Sequence, residues 1–108
     1  MPTREDLLTY MGYDITDDEI VNKNADRALA AAIQLVHGGV GDDVDTYLPG
    51  DSRVTELVLI YAEDLYSQRG LSAKVSNATR LLVYDTVQQL QLELRDAREA
   101  AAAEEGAE

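Results

Sequence analysis

The sequence predicts an all-α fold: a small antiparallel helical bundle of one short and three longer helices, with a long C-terminal helix. Three observations carry that expectation. Apolar residues recur at spacings of three and four wherever they recur at all, glycines or capping residues break the chain into four such stretches, and no stretch alternates with the period of two that a strand requires. A chain of 108 residues has room for one core, so a single compact unit is expected. We divide it into a helical domain over residues 1–96 and an acidic tail rich in Ala and Glu over 97–108.

The first helix is short, from Thr3 as N-cap through about Met11, with Glu5 and Asp6 in the first turn where the helix dipole favours acids. Gly12 ends it. Thr16-Asp17-Asp18-Glu19 has the pattern of a capping box and opens a second helix to about His37. Val21, Ala25, Ala28, Leu29, Ala32 and Val36 share one side of that helix, opposite Glu19, Asn22, Lys23, Asp26 and Gln34, so one face is buried. Gly38 and Gly39 supply a left-handed cap, and the segment from there to Asp51 reads as a solvated acidic loop.

Asp51 or Ser52 starts the third helix, which runs through about Gln68 and is apolar nearly all round. Val54, Leu57, Val58, Tyr61 and Leu65 form its core stripe, with Leu59, Ile60 and Tyr66 partly off it. Gly70 stops it. The fourth helix begins at Ser76 or Asn77 and runs past Ala100. Val83, Val87, Leu90, Leu94, Ala97 and Ala101 alternate by four and three along it, a seam of about two and a half heptads. Residues 77 to 101 alone span roughly 37 Å, longer than a small domain needs, so the distal part with Leu94, Ala97 and Ala101 is expected to reach another subunit or partner.

Composition narrows the chemistry. The chain has no cysteine, Trp or Phe, so disulfides, thiolate metal sites and a cysteine nucleophile are absent, and the core must hold by packing of Leu, Val, Ile, Ala and six tyrosines. Its 21 acids against 9 bases give a formal charge of −12, which repels nucleic-acid phosphates and anionic membranes. No apolar run reaches the roughly 20 residues that a membrane span needs, and Met1 to Asp6 lacks the features of a signal peptide, so the protein is expected to stay where it is made.

Catalytic and cofactor patterns fail in turn. His37 is the only histidine and reads as a capping or exposed residue. Asp42, Asp43 and Asp45 suggest calcium, but an EF-hand loop begun at Asp43 would put Tyr47 and Val54 at ligand positions. Gly38-Gly39-Val40-Gly41 lacks the Lys-Ser/Thr of a phosphate loop, and Glu63 and Asp64 point about 100° apart on a helix. We therefore expect no enzyme, no cofactor, no metal site and no small-molecule substrate.

Charge placement is more informative. Leu65 to Tyr84 contains Arg69, Lys74 and Arg80 and no acid, whereas Gly38 to Asp51 holds acids and no Lys or Arg. A two-sided chain of this kind suits a heterologous interface, the basic island of one copy facing an acidic loop or tail of the next, in a ring.

The same region carries a family resemblance. Leu65-Tyr66-Ser67-Gln68-Arg69, a short loop and Asn77-Ala78-Thr79-Arg80-Leu81-Leu82 resemble the signature of the gp6-like head-to-tail connector proteins of tailed bacteriophages. Thr3-Arg4-Glu5-Asp6-Leu7-Leu8-Thr9-Tyr10-Met11 and Asp17-Asp18-Glu19-Ile20 resemble the start of that family. The resemblance implies a structural virion protein at the neck, made in the host cytoplasm. It implies a cyclic homo-oligomer beneath the portal protein that extends the DNA channel and docks the stopper or tail-completion protein, with DNA passing through and not specifically bound. Leu59, Ile60, Tyr66, Arg69, Lys74, Arg80, Leu94, Ala97 and Ala101 are the expected interface residues, and Asp42, Asp43 and Asp45 the expected acidic channel or partner loop. Family members often finish soon after the Leu-Leu-x-x-Tyr element, whereas this chain continues for about two dozen residues. The alternative from another class is a small acidic helical regulator that binds a basic protein surface or mimics DNA.

Overall fold

A computed structural model describes the backbone of residues 1–13, 18–67 and 77–106. It is all-α, with five helices and no strand among the described residues: α1 (Arg4–Tyr10), α2 (Glu19–Val40), α3 (Val44–Tyr47), α4 (Ser52–Ser67) and α5 (Asn77–Gly106).

α1 is short because its ends are fixed within two turns. The Thr3 hydroxyl accepts from the Asp6 N–H at 3.2 Å and the Asp6 carboxylate accepts from the Thr3 N–H at 2.9 Å, a reciprocal capping box. Gly12, at φ 82°, turns the chain away, and Leu7 and Leu8 are driven into the core.

α2 differs from expectation at both ends. It starts at Glu19, and its N-cap is Asp18, whose carboxylate accepts from the Ile20 and Val21 N–H groups at 2.9 and 3.3 Å. Glu19 is thus the first helical residue and not the third residue of a box; Thr16 itself lies outside the described residues. At the far end the helix runs through Gly38 and Gly39 and stops at Val40, with Gly41 as cap at φ 153°. Two interior glycines cost about 1 kcal/mol each relative to alanine. Val36 and Val40, four residues apart and both buried, hold the last turn against the core and outweigh that cost.

The segment expected as a solvated loop is folded instead. α3 is a single turn in which the Thr46 and Tyr47 N–H groups donate to the Asp43 carbonyl at 3.0 and 3.1 Å. Val44 is fully buried, and Tyr47 and Leu48 pack against the same core. Spacing of three and four among those residues overrides the polar composition around them.

α4 begins beside Asp51, whose carboxylate accepts from the Arg53 N–H at 2.9 Å. Its buried residues are Val54, Leu57, Val58, Leu59 and Ala62, with Tyr61 and Leu65 half-buried. α2 and α4 form the central antiparallel pair: Asn24 to Ala31 of α2 lie beside Leu65 and Tyr66 at the end of α4. Small side chains at Ala25, Ala28 and Ala32 permit that close approach. α1 covers one side, and its Arg4 reaches Asp26 at 3.5 Å.

α5 lies antiparallel to α4, with Val83 near Ile60 and Glu93 against Arg53. Its inward side consists of Leu90 and Leu94, fully buried, and of Val83 and Val87, half-buried against the core; Ala97 and Ala101, at the end of the expected seam, are half-buried. The protein measures 54 × 32 × 18 Å with a radius of gyration of 16.0 Å. A compact chain of this length has a radius near 13 Å. The excess is that of an elongated body, and α5, about 45 Å long, is the element that stretches it.

Candidate interaction surfaces

The described residues offer two charged ties between helices and two shallow grooves. No group of three or more His, Cys, Asp and Glu among them could hold a metal ion, and no helix is long and apolar enough to cross a membrane. Function has to be sought in which charges and apolar faces the fold leaves open.

At one end, α2, α3 and α5 meet in a tightly tied corner. Arg98 donates through Nε to Asp43 Oδ2 at 2.8 Å and through Nη2 to Asp43 Oδ1, a bidentate fork. The hydrogen bond from Arg98 holds the Asp43 carboxyl below its usual range, and the same bond raises the Arg98 guanidinium. Gln91 donates to the Gly39 carbonyl, and Leu94 sits directly over Gly41. His37 Nε2 lies 2.9 Å from Asp45 Oδ2, so the histidine is neither a bare cap nor simply exposed. The expected acidic loop is therefore folded onto its own subunit: Asp43 and Asp45 are engaged in ion pairs, Asp45 while still exposed, and Asp42 is exposed.

A second tie joins α4 to α5. Arg53 bridges Asp51, at 2.8 Å from Nη2, and Glu93, at 3.0 Å from Nη2 and also through Nη1. Hydrogen bonds from Arg53 lower Asp51, and those to Asp51 and Glu93 raise Arg53. Tyr10 is raised, by partial burial first and then by the charges of Glu56 and Glu63.

The expected interface residues separate into three groups. Leu59 and Leu94 are corrections: both are buried in the subunit's own core, because Leu59 turns inward with Val58 and Ala62, and the α3 corner covers Leu94. Ile60 and Tyr66 remain half-buried and each lines a shallow groove. Tyr66 borders one of about 150 Å³ with Asn24, Arg27, Ala28, Ala31 and Leu65, and its ring meets Tyr13 with centroids 6.0 Å apart. Ile60 borders one of about 100 Å³ with Arg53, Glu56, Leu57, Val83 and Thr86. Ala97 and Ala101 are half-buried on α5. Arg69 and Lys74 lie outside the described residues, as does the side chain of Arg80.

Four residues that the sequence reading did not single out for function shape these surfaces. Arg98 and Arg53 anchor α5; Arg98 lies one turn beyond Leu94, a spacing that could have pointed to it. Lys23 and Arg27, four apart on α2, are exposed and make no ion pair among the described residues. Comparison with protein-family models, with curated proteins and with solved structures gives no match.

Proposed function

We propose that the chain is a structural assembly subunit, a head-to-tail connector that forms a ring under a phage portal, extends the DNA channel and docks the stopper or tail. The observation that carries this reading is the way α5 leaves its own domain. Among the described residues its last ion pair to the rest of the subunit is Arg98 to Asp43, and beyond it Glu99 to Glu105 is exposed except for the half-buried Ala101. A helical arm of that kind stabilises little within one chain, because it buries little apolar surface there. It is suited to contact a neighbour.

Two further features support the proposal. The resemblance in the α4 and α5 segments points to the connector family, and a net charge of −12 suits a wall past which a polyanion must slide without sticking. In this reading the protein works by shape and repulsion, with no bond made or broken.

The test is localisation together with mass. Electron cryomicroscopy of infectious particles should show density for this polypeptide between portal and tail, and purified chain mixed with portal should form a cyclic complex by light scattering. Particles without the polypeptide at the neck, or a chain that stays monomeric on portal and instead binds a DNA-processing enzyme, would overturn the proposal in favour of the acidic regulator.

A further inference from the structure

We propose that the free end of α5 in one copy seats in the α2–α4 groove of the next, with Glu99 and Glu104 meeting Lys23 and Arg27. This names the contact that would propagate the proposed ring and rests on that reading.

The groove has a floor of small residues and one cationic wall. Ala28 and Ala31 lie at its base between Leu65 and Tyr66, and Arg27 stands on its edge. Lys23, Arg27 and Ala31 follow one another at intervals of four, so they form a single ridge along α2. Arg4 already engages Asp26 on the neighbouring side, which leaves Lys23 and Arg27 as the unpaired cations of this ridge among the described residues.

The arm has the complementary pattern. At 100° per residue, Glu99, Ala100, Ala103 and Glu104 fall within one face about 140° wide. All four are exposed, and none makes an ion pair among the described residues. Alanines flanked by glutamates let a helix lie close on an alanine floor while its acids reach a cationic rim. The two glutamates stand about 7.5 Å apart along the arm on opposite edges of its alanine face, and the two cations about 6 Å apart along α2, so the arm meets the ridge crosswise, with one glutamate toward each cation.

One chain cannot satisfy itself in this way. α5 is tied to the Gly39–Asp43 corner at the C-terminal end of α2, and the groove lies at Asn24 to Ala31, about 20 Å back along the same helix. Arm and groove are thus on opposite ends of the subunit, and the contact they define is head-to-tail: it closes into a ring or extends as a chain.

The test uses the full chain in two charge-reversed forms, K23E/R27E and E99K/E104K, with all four positions exposed so that folding, checked by circular dichroism, is preserved. At low salt, sedimentation velocity should show wild-type self-association weakened about tenfold in each variant alone. Mixing the two variants should restore it to within about twofold, since each arm then meets a groove of opposite sign. Variants that associate like wild type, or a mixture no tighter than its parts, overturn the inference while leaving the ring itself standing if wild type still assembles. A wild-type chain that is monomeric at its highest soluble concentration also overturns it, and the connector reading is then decided separately by the particle necks.

Discussion

Arg98 grips Asp43 across 55 residues of sequence, and with that fork α5 is fastened to the turn that follows α2. Leu94 lies one helical turn before the arginine and is fully buried over Gly41, so a charged clamp and an apolar plug act on the same corner. The pair is surface-exposed and its contribution is screened by water; its value is in orienting a long helix that has few other ties at this end.

The first prediction concerns acid. Because the Arg98 hydrogen bond lowers the Asp43 carboxyl in the folded protein, the contact is fully present above the unfolded carboxylate value near 3.9 and is lost as pH falls through the lowered folded value. Amide exchange in the distal half of α5 should therefore accelerate below about pH 4 more than in α2. Arg98→Ala should give that fast exchange already at neutral pH and remove most of the acid step. Equal exchange in both forms across the range would show that the fork does not hold the helix.

A second prediction contrasts two glycines three residues apart. Gly41 sits at φ 153°, and a Cβ built there would lie 2.5 Å from Leu94 Cδ2 and 2.8 Å from Arg98 Nη2. Gly41→Ala combines backbone strain with displacement of the plug and should cost about 2–4 kcal/mol in urea unfolding. Gly38 is helical and open, with nothing within 4 Å of its Cβ position. Gly38→Ala should stabilise by about 0.5–1 kcal/mol. Similar values for the two would mean that the α2–α3 corner is not built as described.

The third prediction tests the helix starts. Thr3→Ala and Asp18→Ala each remove side-chain acceptors that satisfy free N–H groups, at Asp6 in the first case and at Ile20 and Val21 in the second. Each should lower stability by about 1 kcal/mol. An Asp18→Asn replacement keeps an acceptor and should recover most of that loss in the same unfolding measurement.

These contrasts also mark what could be read from the chain. The Thr3 cap, the bounds of α4 and the seam from Val83 to Ala101 follow from local chemistry and periodicity, and local signals suffice where the apolar stripe is long. Gly38 and Gly39 read as a stop because propensity is local, yet Val40 extends the helix through a tertiary contact that no window of sequence contains. α3 was hidden for a related reason: Val44, Tyr47 and Leu48 are too few to outvote four aspartates in composition, but enough to bury one turn. The ion pairs at Arg53 and Arg98 join segments 40 and 55 residues apart, a distance at which periodicity says nothing about partners. The open charges Lys23 and Arg27 could be listed as a polar face from sequence, but only the groove beside them gives that face a meaning.

The last prediction compares two leucines of α5. Leu94 is 0% exposed and Leu92, two residues before it, is 54% exposed, although Leu94 is the one expected from sequence to meet another molecule. If Leu94 belongs to the subunit's own core, Leu94→Ala leaves a cavity between α5 and the α3 corner and should cost about 2–5 kcal/mol, measured on dilute chain where assembly is absent. Leu92→Ala removes surface already in water and should change stability by no more than about 0.5 kcal/mol. Self-association supplies the second readout. Leu94→Ala should impair it only in proportion to unfolding, and adding osmolyte to refold the variant should restore it, since the leucine itself touches no neighbour. A Leu94→Ala chain that is as stable as wild type yet fails to associate would place this residue at an interface between copies and would mean that α5 does not dock on Gly41 in the free subunit.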